Sequence, residues 1–307
     1  MRERVRVQLP DSVQGLRLDQ VLAAQLDLSR SQVAKLIKQH DVQVNGKIPR
    51  KSAEVGRGDQ VEVLLPDTSP KSLETPAQLP ILYEDRDIVV VNKPVGMAAH
   101  TAAGWNGPTV IGALLAAGHQ IATSGPRERI GIVHRLDVGT SGAMVVAKSE
   151  LAYRQLQEDF RLRRVEKIYQ TLVQGYPQPE EGTIDAPIGR HPARDFKMAV
   201  VKGARPAITH YRTLAVFPGA SLLQVQLETG RTHQIRVHMQ AIGHCVIGDP
   251  TYGANPQLAQ ELGLKRQWLH ALNLSFTHPK TGQHMSFDAP LSDDLQTALA
   301  RLRALRK

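Results

Sequence analysis

The stretch GIVHRLDVGTSGAMVVAKS, residues 131–149, places His134, Arg135 and Asp137 between two apolar runs. The runs, residues 131–133 and 143–147, are typical of buried strands, so the charged residues are predicted to lie on the loop that joins them. An ionised carboxylate can act as a nucleophile or accept a proton. A buried carboxylate tends to take up a proton unless a cation lies beside it. The loop is therefore a candidate catalytic segment.

A second cluster of basic residues begins the segment RTHQIRVHMQAIGH, where Arg231, His233 and Arg236 come together. Apolar residues recur there at helical spacing, and Gly243 is a suitable helix end. A helix N-terminus already attracts anions through its free N–H groups and its dipole. Three further basic side chains are unfavourable there unless a negative group binds. The alternative interpretation is a basic surface that contributes only solubility.

Several common kinds of active site are excluded because their sequence motifs are absent. The sequence contains no GxxxxGK[ST] loop, no HExxH and no GxGxxG. Ser141, in the stretch GTSG, has no evident base partner. His233, His238 and His244 have poor spacing for metal ligands, and the single Cys245 excludes an internal disulfide bond and a cysteine zinc site. We expect no metal.

The remaining elements predict an α+β protein with a mixed, largely antiparallel sheet, because helices are interspersed among the strands without regular alternation. Examples are the buried strand at 87–91, the strand that begins at Glu166 and the alternating strand at 221–228. Residues 66–80 contain four prolines and no apolar period, which indicates a stiff linker. The predicted division is residues 1–65, the linker, and a catalytic domain at 81–307 that ends in a helix.

Residues 1–65 predict a small α/β domain with two short helices and a hairpin sheet that turns at Asn45-Gly46. This order resembles the S4 RNA-binding domain, which implies cations that contact the RNA backbone without reading its sequence. A solvated basic surface is the alternative. The basic residues between positions 29 and 57 are Arg30, Lys35, Lys38, Lys47, Arg50, Lys51 and Arg57.

The overall charge agrees with a polyanionic partner. The chain has 307 residues, with 38 Lys and Arg against 29 Asp and Glu, a net charge of +9 and a pI near 9.8. Such a surplus favours nucleic acid, although it also occurs for solubility alone. The N-terminus has no apolar signal segment, and no apolar run is long enough to span a membrane. We therefore expect a cytoplasmic protein.

The motifs HRLD with GTSG, EKIYQTLVQG, LETGRTHQIRVHM and IGHCVIGDPTYG occur in this order. Together they resemble the RluA-type family of RNA pseudouridine synthases over residues 81–290. With the S4-like domain, nearly the whole chain is similar to the RluD-like branch of that family. The resemblance implies the pseudouridine synthase fold with a central RNA-binding cleft. It also implies conversion of specific uridines in large-subunit (23S) ribosomal RNA to pseudouridine without a cofactor.

The resemblance also implies roles for individual residues. Asp137 is the expected catalytic aspartate, Arg236 its guanidinium partner, and Tyr169 the tyrosine that stacks on the uracil and whose hydroxyl can help remove the C5 proton. Arg135 resembles the residue that fills the gap left by the extruded base, and extrusion costs a few kcal/mol. Arg231 is assigned to RNA or motif support. His134 is placed among the RNA-binding residues, with a hydrogen bond inside the loop as the alternative.

Three hypotheses remain open on the sequence. The first is a monomeric ribosomal RNA pseudouridine synthase that acts on free large-subunit RNA or on a pre-ribosomal particle. The second is a non-catalytic S4-type protein that binds RNA or assists ribosome assembly. The third is a hydrolase of glycosidic bonds, which is disfavoured because such enzymes usually use two acids. In the first hypothesis, Asp137 either attacks the sugar or removes a proton from it.

Overall fold

The computed structural model describes residues 3–9, 13, 15–26, 30–50, 53–65, 79–101, 105–194 and 197–305. The chain divides into two compact units, Met1–Glu74 and Thr75–Lys307. The predicted linker at 66–80 lies outside the described residues, apart from residues 79 and 80.

The described residues of the first unit form two helices and five short strands. They are β1 (Glu3–Gln8), β2 (Leu16–Arg17), α1 (Leu18–Gln25), α2 (Arg30–Lys38), β3 (Val42–Val44), β4 (Glu54–Val55) and β5 (Gln60–Leu65). β5 pairs antiparallel with both β1 and β3, and the inner faces of α1 and α2 pack with this sheet in one apolar cluster. Asn45 and Gly46 have φ of 51° and 75°, as the predicted turn requires. The main partner of β3 is nevertheless β5, and only an isolated bridge joins Val44 to Lys47.

The second unit is built on a large sheet with helices packed against it. Its strands are β6 (Ile81–Glu84), β7 (Ile88–Lys93), β8 (Ser141–Ala147), β9 (Glu166–Gln174), β10 (Glu181–Asp185), β11 (Ile188–Arg190), β12 (Met198–Val200), β13 (Ile208–Phe217), β14 (Ala220–Leu227), β15 (Leu269–Thr277) and β16 (His284–Asp288). Its helices are α3 (Val110–Ala116), α4 (Glu150–Arg161), α5 (Gln234–Ala241), α6 (Pro256–Glu261) and α7 (Asp293–Ala304).

The large sheet has the strand order β10-β13-β14-β9-β15-β8-β7-β6, with β16 paired to β15. Among the described strands, only β8 and β15 pair in parallel, so the predicted mixed and largely antiparallel sheet is confirmed. Apolar side chains fill both faces of its centre, and the strand predicted at 221–228 is more buried than its alternation suggests. The reason is that β14 lies inside the sheet, between β13 and β9.

The prediction of a strand at residues 131–133 is wrong. Only an isolated bridge from Ile132 to Val146 forms there, and Gly131 has a φ of 68°, which interrupts extended backbone. The predicted second run is correct, since β8 covers Ser141–Ala147 and is buried throughout. The segment that carries Asp137 is therefore a long irregular loop attached to the first residue of β8.

Gly142 explains the glycine in the stretch GTSG. Its φ is 122°, and a Cβ atom placed there would lie 2.2 Å from the carbonyl oxygen of Ala271. Only glycine allows β8 to approach β15 this closely. The residue therefore holds the start of β8, and the loop before it, against the central sheet.

The C-terminal helix lies where the sequence predicts it. α7 buries Leu295, Ala298, Leu299 and Leu302 along one face. Over the described part of the chain, none of the helices has both the length and the hydropathy that crossing a bilayer requires.

Candidate active site

The loop before β8 presents Asp137 at the edge of a small cavity. The backbone oxygen of Asp137 accepts a hydrogen bond from Thr140 N at 2.9 Å, which closes a turn, and Leu136 is buried beneath the loop. The Asp137 side chain is 18% exposed, while Arg135 is exposed. Both residues line a cavity of about 80 Å³ that also includes Tyr169 and Arg236. The carboxylate is therefore partly shielded yet reachable from the cavity.

Arg236 connects α5 to this carboxylate. Its Nη1 donates to Asp137 Oδ2 at 3.2 Å, across 99 positions of sequence. Its other edge donates to Asp249, from Nε to Oδ2 at 2.6 Å and from Nη2 to Oδ1 at 2.9 Å. Such a bidentate pair fixes the plane of a guanidinium as well as its charge. Asp137 and Arg236, which the family resemblance predicts to be partners, thus form an ion pair.

Asp249 is a residue that the sequence reasoning missed. Its side chain is fully buried, and Oδ1 also accepts hydrogen bonds from the backbone N–H groups of Thr251 at 2.8 Å and Tyr252 at 3.2 Å. Burial lowers the pKa of Arg236, but the hydrogen bond and the charge of Asp249, together with Asp137, outweigh this effect and raise that pKa. The signal was present in the motif GDPTYG, where Asp before Pro favours a turn in which the carboxylate accepts backbone N–H groups.

His233 and Tyr252 support the same pair from the other side. Tyr252 OH accepts a hydrogen bond from Met198 N at 3.0 Å and lies 2.7 Å from His233 Nδ1. Burial lowers the pKa of His233 despite the charge of Asp137, which favours the neutral ring at physiological pH. Because Tyr252 OH already accepts from Met198 N, its hydroxyl donates a hydrogen bond to Nδ1. Nε2 then carries the ring proton, and it lies 3.9 Å from Asp137 Oδ2. The guanidinium of Arg236 lies 4.9 Å from the centre of the Tyr252 ring.

Tyr169 lies on β9, where both cavities of the site meet. It is 7% exposed, and burial together with the charge of Asp137 raises the pKa of its hydroxyl. The phenol is therefore neutral at physiological pH. A neutral phenol can hydrogen-bond to a base and present its ring for stacking, but it is a weak proton acceptor.

His134 does not supply a cation to the site. Its Nε2 accepts the N–H of Val145 at 3.1 Å, and its ring stacks on Phe160 with 4.6 Å between the centres. Burial, followed by the charge of Lys167, lowers the pKa of His134 to about 3. The assignment of His134 to RNA binding is therefore disfavoured, and the structure agrees with the alternative of a hydrogen bond inside the loop.

Lys93 is a second buried group that the sequence reasoning did not use. It is fully buried at the end of β7, and Nζ donates to the carbonyl oxygens of Pro94 at 2.9 Å and Met97 at 2.8 Å. Burial lowers the pKa of Lys93 to about 7, while the charge of Asp137 opposes this shift. Lys93 therefore fixes the backbone after β7.

A larger cavity of about 680 Å³ opens beside Asp137 and shares Arg135, Tyr169 and Arg231 with the small one. Arg135 reaches it from the loop. Arg231 is held by a bond from Nε to the carbonyl oxygen of Pro206 at 3.0 Å. This cavity is lined mainly by basic side chains, as expected for the RNA-binding cleft that the resemblance implies.

The basic residues of the first unit lie apart from this site in the sequence. Lys35 and Lys38 are exposed on the last turn of α2, and Lys47 is exposed on the turn after β3. Arg30 begins α2, but its side chain lies outside the described residues.

Two excluded chemistries can be compared with the structure. Ser141 does have a histidine partner, since its Oγ lies 2.9 Å from His270 Nδ1. Both side chains are buried, and Arg266 Nη2 also donates to the same Oγ at 3.2 Å, so the pair holds β8 and offers no nucleophile. Within the described ranges, no group of three or more His, Cys, Asp or Glu residues is arranged to hold a metal ion.

Comparison with known proteins relates this geometry to a family. The RNA pseudouridylate synthase family matches residues 87–241, and the S4 domain matches residues 16–61. An uncharacterized RNA pseudouridine synthase of Mycobacterium bovis is 52% identical over 298 residues, which cover 96% of this chain and 97% of that protein. A ribosomal large subunit pseudouridine synthase D of Neisseria meningitidis is 42% identical over 98% of this chain and 82% of its own length.

Among solved structures, human RNA pseudouridylate synthase domain containing 4 is similar with a TM-score of 0.56 at 28% identity. The match covers 73% of this chain and 93% of that one. One matched family consists of enzymes that act on RNA, and the other is an RNA-binding domain, so RNA is the partner of this protein. The hypothesis of a purely non-catalytic protein is therefore not needed. The chain belongs to the RNA pseudouridine synthase family, and it is a pseudouridine synthase that carries an S4 domain.

Proposed function

We propose that the protein converts specific uridines of 23S ribosomal RNA to pseudouridine, with Asp137 as the catalytic residue. One observation carries the proposal: a partly shielded carboxylate, paired with a buried arginine, lines a small cavity that shares a buried tyrosine with a larger basic cavity. The choice of ribosomal RNA is supported by relatives named ribosomal large subunit pseudouridine synthase D at 40–42% identity. We also propose that the protein is cytoplasmic, as action on ribosomal RNA requires, and that it acts as a monomer.

The reaction is an isomerisation and needs no oxidant, reductant or water. The N1–C1′ bond of the uridine breaks, the uracil rotates while it stays bound, and a C5–C1′ bond forms. The C5 hydrogen leaves as a proton, and N1 gains one. We assign no cofactor to this sequence of steps.

Asp137 supplies the carboxylate that this sequence needs. It either attacks C1′ or removes a proton from the sugar on the way to a glycal, and both actions require the ionised form. Arg236 holds a positive charge 3.2 Å from that carboxylate throughout the reaction. Because Asp249 fixes the guanidinium on its far edge, the pair is organised before the substrate arrives.

The remaining residues hold the RNA. Tyr169 stacks on the extruded uracil, and its neutral hydroxyl is suited to hydrogen bonding with the base. Arg135, which is exposed at the cavity mouth, occupies the gap that extrusion leaves. Arg231 contacts the RNA backbone or supports the start of α5. In the S4 unit, Arg30, Lys35, Lys38 and Lys47 contact phosphates and position the RNA.

The proposal is tested by mapping pseudouridines in 23S ribosomal RNA from cells without the gene and from cells complemented with the wild-type protein or with Asp137→Asn. We expect one or a few sites to disappear without the gene, to return with the wild type, and to stay absent with Asp137→Asn. An unchanged map would refute the choice of 23S RNA. Release of free uracil by the purified protein would instead indicate a hydrolase.

A further inference from the structure

Lys167 is a buried cation that the proposed chemistry does not use. It lies on β9 two positions before Tyr169, so both side chains point to the same face of the strand. Lys167 is 7% exposed and lines the cavity of about 680 Å³. With respect to residues that the structure describes, its Nζ forms no hydrogen bond and no ion pair. Burying an ammonium group without a partner is unfavourable.

The surroundings of Lys167 do not provide the missing anion. Glu228 is the only carboxylate among the described residues that line this cavity. It already accepts from Arg163 at 3.3 Å and contacts His210 at 2.8 Å. The cavity lining contains six Lys and Arg residues, namely Arg129, Arg135, Arg161, Arg163, Lys167 and Arg231. The cavity therefore has a strong excess of positive charge.

The ionisation of Lys167 agrees with this picture. Burial, followed by the charge of Arg163, lowers the pKa of Lys167 to about 8, and the charge of Glu228 opposes this shift. A structural lysine with a fixed carboxylate partner would show the reverse direction. In the free protein, the ammonium group of Lys167 is thus available to bind an anion.

We propose that Lys167 forms a phosphate-binding subsite for the backbone phosphate next to the target uridine. The inference rests on the proposed function, because it places the uracil at Tyr169. Residues two apart on a strand are separated by about 6.6 Å, a distance on the scale of one nucleotide from base to backbone. An ammonium is a compact donor that suits phosphate oxygens, and phosphate is the anion that RNA offers. Lys167 therefore fixes the position of the RNA backbone while Tyr169 holds the uracil.

The test measures equilibrium binding of uridine, uridine 5′-monophosphate and uridine 3′-monophosphate to the full-length protein by calorimetry. The variants are Lys167→Gln and, as a control with the same change of charge, Lys280→Gln. Lys280 has a side chain that is 59% exposed and does not line this cavity. We expect the wild type and Lys280→Gln to bind one of the two monophosphates about tenfold or more tightly than uridine, which corresponds to about 1.4 kcal/mol. Lys167→Gln should bind all three equally.

Two results would overturn the subsite: a wild type that shows no preference for either monophosphate, or a preference that persists in Lys167→Gln. Thermal unfolding of the same variants separates a structural role. Since Lys167→Gln removes an unpaired buried charge, its melting temperature should stay the same or rise, and a clear fall would mean that the lysine supports the fold. None of these measurements requires turnover or 23S RNA. The binding result can therefore be interpreted even if 23S ribosomal RNA proves not to be the substrate.

Discussion

The bond between Arg236 and Asp249 offers a change that acts on the site without altering the carboxylate that does the chemistry. In Asp249→Asn, Oδ1 can still accept from Thr251 N, Tyr252 N and Arg236 Nη2. The new amide nitrogen would replace Oδ2, which lies 2.6 Å from Arg236 Nε. Two donors would then face each other, and the buried guanidinium would lose its bidentate partner.

The expected magnitude follows from this geometry. Removing one partner of a buried ion pair costs about 3–5 kcal/mol. A domain with a total stability of about 5–15 kcal/mol should still fold at low temperature. A guanidinium displaced by about 1 Å no longer holds Asp137 in place, and a misplacement of that size can cost about 10²-fold in rate. We therefore expect a lower melting temperature together with a rate about 10²-fold lower.

The assay follows tritium released from RNA made with [5-³H]uridine, because each conversion releases the C5 hydrogen. Asp159→Asn is a suitable control, since Asp159 is a buried aspartate that pairs with Arg164 at the end of α4, outside both cavities of the site. Its loss should lower stability by about 1.5–3 kcal/mol and leave the rate unchanged at a temperature where the protein is folded. A wild-type rate in Asp249→Asn would refute the view that Arg236 must be aimed.

Three further predictions concern the loop, the sheet and the S4 unit. The pKa of His134 is lowered from 6.5 to about 3, so below pH 6.5 protons bind the unfolded chain in preference and the free energy of unfolding falls. Measured by urea unfolding, the wild type should lose about 2 kcal/mol more of this free energy than His134→Gln between pH 7 and pH 5. Equal losses would contradict this prediction. Gly142→Ala should destabilise the protein by about 1–3 kcal/mol more than Gly282→Ala. Gly282 is the control because it also has a positive φ, 74°, but a Cβ added there meets nothing within 4 Å. Equal urea midpoints for the two variants would refute the close approach of β8 to β15. The variant with Lys35, Lys38 and Lys47 all changed to Gln should reduce the log–log salt slope of RNA binding by about 2–3, and an unchanged slope would assign these residues to solubility.

Local patterns predicted much of the fold. Long apolar strands such as β7 and β8, and the helix α7 with its leucines at helical spacing, are determined by burial along one element. β1 was missed although its sequence, ERVRVQ, alternates valine with charged residues as a half-buried strand does; the run is short, and its partner β5 lies far along the chain. The strand predicted at residues 131–133 does not form because Gly131 turns the backbone there.

The site was predicted in part, and its missing pieces are non-local. Asp137, Tyr169 and Arg236 came from motifs that resemble a known family. Asp249 lies in the motif IGHCVIGDPTYG and Lys93 follows the strand predicted at 87–91, but their roles depend on contacts made only in the folded chain. The partner of Ser141 is 129 positions away. No pattern within one sequence reveals a pair of that separation.

The central claim is that the carboxylate of Asp137 performs the chemistry, and the tritium-release rate of Asp137→Asn measures it most directly. The change should leave the fold intact, because Asp137 is partly exposed and Arg236 keeps its pair with Asp249. We predict a melting temperature and an RNA affinity close to those of the wild type, with a rate lower by at least about 10²–10⁴-fold. Tritium release at the wild-type rate by a folded, RNA-binding Asp137→Asn protein would contradict the account.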